Sequence, residues 1–513
     1  MDRWQTCVNQ TSKARRAQFR WKITSTAEGL RVQTSVRSFH DLARLVEQIR
    51  RIVSTHDEEK SLGLAIQPTP GLFDIWTEWC TPKRLRFPKD YPIDISKEQT
   101  DHLVELFCRT PCCSTSRIPF INPAEFLARY RSSPAYQPST LLVYAVCAMA
   151  ARNAFQLHVW GNRPSHESPQ YNIGKPLSIA YCLRARELLA ESFDEPSMDN
   201  CKAALLLSYC SHQNGYPHVI YFYEWIAFTM AQQLGLYDSN RTLTREENML
   251  VWSLYYYNTW YRVLRGNTGS SLRSSAFFPH QPLPEVMTPN SKKEADIIEC
   301  YAHNMWVYMF ELLLLLDDTM ARLIDTQDSA THRTLMDEVC IMQSKLDSFY
   351  ARLPSDWQRC PSVTGRCHSS DHDEYYHVDA ASFTQFCIQN VQIQYNINQI
   401  LLHQGFLPGK PSSGKWYPVD RLCTCIDAAN FIIRSMDRMI KESEGCCVPF
   451  VGIIFCNLVY CKLLNYDEGH YRDLARRCLK RSVDLAKASK SYQYDFEMAR
   501  TMVDLLEQNI PTS

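Results

Sequence analysis

From residue 98 onward, apolar residues recur at spacings of three and four along nearly the whole chain, a period that suits helices packed side by side. The pattern predicts helices over 98–108, 123–131, 139–155, 173–191, 198–211, 217–236, 244–264, 292–325, 331–352, 377–404, 418–441, 448–464, 467–487 and 492–508. Pro, Gly, Ser and His collect at 161–171, 266–291, 354–376 and 405–417, which predicts loops there. Glycine is scarce, 16 against 26 prolines, whereas hairpins and phosphate-binding loops consume glycine to reach positive φ. The helices follow no fixed repeat and do not alternate with strands. The expected fold class is therefore all-α, a large multi-helix bundle or solenoid-like body. A single core organises up to about 250–300 residues, so a chain of 513 needs more than one layer.

The N-terminal segment is different. Residues 1–52 hold eleven Lys/Arg against four Asp/Glu, a net of +7, while over the whole chain 55 basic and 55 acidic residues cancel. Nucleic-acid contact by counterion release is thus expected to be local, and weak. Within the segment, Trp21-Lys-Ile-Thr and Leu30-Arg-Val-Gln-Thr alternate apolar with polar around Ala27-Glu28-Gly29, which predicts one hairpin. Phe39, Leu42, Leu45, Val46, Ile49, Ile52 and Val53 follow at the spacing of a short amphipathic helix. The expected organisation is a basic segment (1–55), an irregular linker (56–97), a helical core (98–300) and a helical extension packed on it (301–513).

No apolar stretch follows Met1-Asp2-Arg3-Trp4, so a secretory leader is not expected, and a reducing compartment is. Many of the 21 cysteines, such as Cys147, Cys182, Cys210 and Cys387, lie in apolar runs and read as small core hydrophobes. The most apolar run, Cys446 to Cys461, is shorter than a membrane span and carries Pro449 and Asn457, which predicts a buried core helix.

Three patterns imitate catalytic or ligand sites. Gly409 to Lys415 has phosphate-loop spacing, but Trp416 stands where Ser or Thr would hold magnesium, Pro411 removes a backbone donor, and no apolar strand precedes it. Residues 360–377 gather Cys360, Cys367, His368, Asp371, His372, Asp373 and His377, yet the two cysteines are separated by six residues, unlike the paired ligands of a closed zinc site. Asp317-Asp318 follows five leucines in the manner of the aspartate-rich motif of terpenoid synthases, but Ala321 replaces the third acid and no second metal motif follows. No catalytic, cofactor-binding or metal-ligating residue is therefore assigned.

The middle of the chain carries a more specific signal. Leu141 to Ala151 is followed by Ala180-Tyr-Cys-Leu-Arg-Ala-Arg-Glu-Leu-Leu189, by Lys202 to Tyr209, by Ala227-Phe-Thr-Met-Ala-Gln-Gln-Leu-Gly-Leu236, by Glu246 to Tyr255 and by Leu264-Arg-Gly266. In order and spacing these resemble the fungal-specific transcription factor domain, the regulatory middle region of fungal zinc-cluster, xylanolytic-activator-like transcription factors. The resemblance covers about 98–300 and extends loosely through Leu401 to Leu407 and Cys423 to Ala429. The residues that carry it are Arg184, Ala185, Arg186, Leu205, Leu206, Ala227, Met230, Ala231, Leu234, Gly235, Leu236, Trp252 and Gly266. Alanine permits close helix approach, Gly235 suits a left-handed helix exit, and Met249, Trp252, Tyr255 and Tyr256 share one face.

The chain departs from that family where Trp-Trp becomes Val251-Trp252, Asp-Arg becomes Asn258-Thr259, and Gly-Arg-Pro becomes Gly266-Asn267-Thr268. A buried ion pair lost from both sides at once implies neutral contacts in its place. The zinc cluster needs six cysteines in two C-x-x-C groups, and before residue 80 only Cys7 is present. The resemblance implies a nuclear, non-enzymatic transcription regulator without a cofactor in this chain, zinc belonging to a cluster upstream of it. Its partners would be proteins of the transcription machinery, with a dimer possible, no membrane, and DNA reached indirectly or weakly through the basic segment. The competing readings are a metal-dependent all-α enzyme using Asp317 and Asp318, and a helical scaffold unrelated to transcription.

Overall fold

The computed structural model describes residues 21–26, 29–34, 93–110, 114, 116–153, 174–216, 219–264, 276–325, 332–358, 380–407, 419–442, 450–464 and 469–489, with isolated residues from 492 to 507. The chain divides into two compact units, Met1–Ala65 and Ile66–Ser513. In the first, β1 (Trp21–Thr26) pairs antiparallel with β2 (Gly29–Thr34), in a register that sets Trp21 opposite Thr34 and Thr26 opposite Gly29. The expected amphipathic helix at 39–53 lies outside the described residues.

The second unit is helical. Its first half runs α1 (Lys97–Arg109), α2 (Pro123–Tyr130), α3 (Thr140–Asn153), α4 (Gly174–Ser192), α5 (Met198–Gln213), α6 (Ile220–Gln233) and α7 (Arg245–Leu264). Then come α8 (Glu294–Asp325), α9 (His332–Arg352), a single turn α10 (Ser355–Gln358), α11 (Ala380–His403), α12 (Val419–Glu442), α13 (Phe450–Leu463) and α14 (Gly469–Ala488). The all-α fold class is as the apolar period predicts.

Local chemistry starts these helices. Ser96, Asn122 and Ser197 accept hydrogen bonds from backbone N–H groups in the first turns of α1, α2 and α5, and Pro123 takes the position where a missing N–H costs nothing. At α7 the cap is reciprocal: Glu247 N–H donates to Thr244 Oγ1 at 3.3 Å and Thr244 N–H to Glu247 Oε2 at 2.8 Å.

One buried cluster runs from Leu103 on α1 to Leu506, and long aromatic contacts knit it. Trp260 of α7 meets Phe455 of α13 edge-on at 6.2 Å. Gly452 on α13 lets that helix close on its neighbours, since a Cβ there would lie 2.9 Å from Ile432 Cγ2 on α12. The Cys446–Cys461 run supplies α13, buried as expected, and among the described residues no helix is long and apolar enough to cross a membrane.

One expectation needs correction. The predicted loop 354–376 contains α10, whose Trp357 and Gln358 N–H groups bond back to the Pro354 carbonyl. Trp357 is buried, stacked on Tyr301 at 5.3 Å, and its carbonyl accepts from Gln392 Nε2 at 2.9 Å. Four residues are too few to show a helical period, so tertiary burial fixes this turn. Residues 360–377 and 409–415, the zinc-like and phosphate-loop-like patterns, lie outside the described residues.

Candidate functional site

The mid-chain residues singled out by spacing fall on α4 to α7. Ala185, Leu205, Leu206, Ala227, Met230, Ala231, Leu236 and Trp252 are all buried in the main cluster, and Leu234 packs against it. Small residues here work by approach: with only a methyl group at Ala227, Cys201 Sγ on α5 reaches the Ala227 carbonyl at 3.1 Å. Arg184 and Arg186 are exposed, Arg184 bonding Glu187 one turn on at 2.8 Å. Gly266 lies outside the described residues.

Gly235 does what its position suggests. At φ 70° it closes α6, with its own N–H bonded to the Gln232 carbonyl and Leu236 N–H to the Ala231 carbonyl, the two bonds of a Schellman exit. The same device closes α5 at Gly215, φ 84°, where Gly215 N–H meets His212 and Tyr216 N–H meets Ser211. That second exit escaped the sequence reading; the signal was Asn214-Gly215 directly after the periodic run.

On α7, Trp252 is 2% exposed. Its ring stacks on Phe310 of α8 at 5.9 Å and meets Phe278 edge-on at 6.3 Å, while its indole N–H donates to the Pro282 carbonyl at 3.1 Å. The connection 276–293 is thus free of helix, as expected, yet built into the core: Phe277 stacks on Phe228 of α6 at 4.2 Å. A second clasp joins more distant segments. Tyr257 donates to the Arg117 carbonyl at 2.5 Å, and Arg117 Nη1 donates to the Tyr209 hydroxyl at 2.6 Å. Burial pushes the Tyr257 hydroxyl well above its ordinary pKa, which keeps it a proton donor.

The departures at Asn258 and Thr259 are both buried, and Asn258 Nδ2 donates to Glu224 on α6 at 3.4 Å. A neutral amide therefore faces a carboxylate at this α6–α7 contact.

A surface cleft of about 240 Å³ opens where α2, α7 and α8 converge, lined in part by Pro119, Ile121, Glu125, Met249 and His303. Three of its lining charges are paired at close range, Arg245 with Glu299 and Glu246 with the buried Lys202 behind it, each at 2.7 Å. Burial pushes the His303 ring below its usual pKa, and its Nε2 sits 2.8 Å from the Glu285 carbonyl. Met249, Ile121 and Pro119 give the cleft an apolar floor.

The adjacent acids of α8 part company. Asp317 is fully buried, while Asp318 binds Lys345 and, at 3.3 Å, Arg322, which also holds Glu338 at 2.9 Å. Burial alone would raise the Asp318 pKa, but those two cations hold it below the ordinary carboxylate value. Among the described residues, no three His, Cys, Asp or Glu side chains come together as a metal site.

No curated protein matches the chain. Residues 106–286, from within α1 to the approach of α8, match the family model of the fungal specific transcription factor domain, the family that the mid-chain spacings resemble.

Proposed function

We propose that the chain is a regulator of transcription that acts in the nucleus through protein contacts of its helical unit. DNA recognition falls to a zinc-cluster module outside these 513 residues or to a partner protein. The observation that carries the reading is the family match over residues 106–286. The chemistry of the domain supports it as well: its apolar signature side chains pack α4 to α7, Arg184 and Arg186 are left on the surface, and the cleft nearby has an apolar floor. A body of this kind presents surface to other proteins.

The test is a tethering experiment. The full chain is fused to an unrelated DNA-binding module and expressed in a fungal host with a reporter carrying that module's site. A severalfold change in reporter transcript is expected, and it should vanish in a Trp252→Ala fusion. An intact, nuclear fusion that leaves the transcript unchanged would overturn the proposal.

A further inference from the structure

The charge of the second unit is unevenly spread, and α14 carries the imbalance. Its twenty residues hold Arg472, Arg476, Arg477, Lys480, Arg481 and Lys487 against Asp473 and Asp484, a net of +4 in a chain whose total is zero. The helix is amphipathic: Ala475, Leu479, Ser482, Val483, Leu485 and Ala486 are buried against the body. The five cations from Arg472 to Arg481 are all exposed.

Their spacing makes a stripe. Arg472, Arg476 and Lys480 recur every four residues, and Arg477 and Arg481 form a second row beside them, so the cations extend about 13 Å along the helix. Two carry local acids, Arg476 with Asp473 at 3.4 Å and Arg481 with Asp437 of α12. Arg477 and Lys480 have no ion-pair partner among the described residues. An exposed pair such as Arg476–Asp473 is worth little, so a stronger anion displaces it readily.

We propose that this face of α14 binds the phosphate backbone of duplex nucleic acid without reading its sequence. Four of the five exposed cations are arginine, whose planar fork matches phosphate oxygens in pairs. Two other polyanions fit less well. A helix that lies on an anionic membrane needs an apolar edge beside its cations, and the apolar side chains of α14 face the protein. An acidic peptide would have to be held by these cations alone, since the basic rows offer no apolar anchor beside them, whereas a duplex supplies phosphates at regular spacing along its whole backbone. The inference does not depend on the regulator reading, and it places polyanion binding on the second unit in addition to the +7 segment at residues 1–52.

The experiment is fluorescence anisotropy of the full chain with a labelled 20-base-pair duplex of arbitrary sequence, between 50 and 200 mM salt. With four to five phosphates neutralised, affinity should fall about 10²- to 10³-fold over that range. The variant R476Q/R477Q/K480Q should reduce the slope of log K against log salt by about 2.7, at roughly 0.9 per phosphate. Glutamine keeps helix propensity, so its melting temperature should match wild type. If it does not, R477Q and K480Q singly should each reduce the slope by about 0.9. Unchanged slopes in these variants would overturn the proposal. So would a loss of slope that appears only in the variant R15Q/R16Q/R20Q, or tighter binding to phosphatidylserine vesicles or polyglutamate than to the duplex.

Discussion

The indole N–H of Trp252 donates to the carbonyl of Pro282, thirty positions on, and so ties the extended connection 276–293 to α7. The same ring is stacked on Phe310, which makes Trp252 the point where α7, α8 and their connection meet. Truncation to alanine removes a large buried side chain and leaves a cavity, at a typical cost of about 3–5 kcal/mol. Trp252→Phe keeps a ring against Phe310 and loses the hydrogen bond, for a smaller loss of about 1–3 kcal/mol. Thermal melts should rank wild type above Trp252→Phe and Trp252→Ala lowest; an alanine variant as stable as wild type would show that the ring is not an anchor.

Gly235 supports a second prediction. Its φ of 70° lies in the left-handed region, and a Cβ there would sit 2.8 Å from Asp238 Oδ2. The acid can swing aside, so the backbone term dominates, and Gly235→Ala should cost about 1–2 kcal/mol. The same change at Gly215, φ 84°, should cost about as much. A melting temperature unaffected by both changes would mean that neither helix exit is held as drawn.

What the sequence discloses, and what it withholds, follows from range. Existence and type of the long helices are legible because a 3.6-residue period repeats many times within α8 or α11. On α7 the period is only partly informative: of Met249, Trp252, Tyr255 and Tyr256 the first three are buried and Tyr256 is half-buried, but the fold buries every residue from Met249 to Tyr255 and not one face alone. Helix ends are less so: the run expected over 217–236 becomes Ile220–Gln233, its last residues being the Schellman exit. Partners far apart in sequence leave no local trace. The Arg117–Tyr209–Tyr257 clasp joins residues up to 140 positions apart, and nothing near Arg117 announces it. Likewise nothing beside Lys202 in the sequence announces that the fold buries it and answers it with Glu246.

His403, at the end of α11, makes stability depend on pH. It is fully buried, with Nε2 donating to Gln343 Oε1 at 2.7 Å. Burial first, and the nearby Arg421 second, push its pKa down to about 3. The unfolded ring titrates near 6.5, so below that pH the unfolded state takes up a proton that the folded state refuses. The stabilisation is whole above pH 6.5 and is lost as the pH falls toward 3. Each pH unit inside that window is worth about 1.4 kcal/mol, so wild type should lose about 2 kcal/mol between pH 6.5 and 5 through this group. His403→Gln, which can keep the bond to Gln343, should reduce the slope of that part of the profile by about 1.4 kcal/mol per pH unit, leaving the share of His212, which burial likewise pushes down to about 3. Parallel profiles for the two proteins would show that His403 is already protonated in the folded chain.

Asp317 and Asp318 offer the sharpest separation of the regulator reading from a magnesium-dependent enzyme. If the pair held metal at an open cavity, replacing either acid would abolish magnesium-dependent turnover and leave the melting temperature nearly unchanged. The structure distributes the two otherwise, with Asp317 at 0% exposure inside α8 and Asp318 outside, in contact with Lys345 and Arg322. Removing a side chain from a fully buried position leaves a cavity inside the packed body, so Asp317→Ala should destabilise by about 1–3 kcal/mol. Asp318 gives up only partly exposed ion pairs, worth about 0–1 kcal/mol each, so Asp318→Asn should melt close to wild type. Magnesium should shift the melt of none of the three proteins. A melt raised by magnesium in wild type and not in Asp318→Asn would reverse the assignment and make α8 a metal-binding helix.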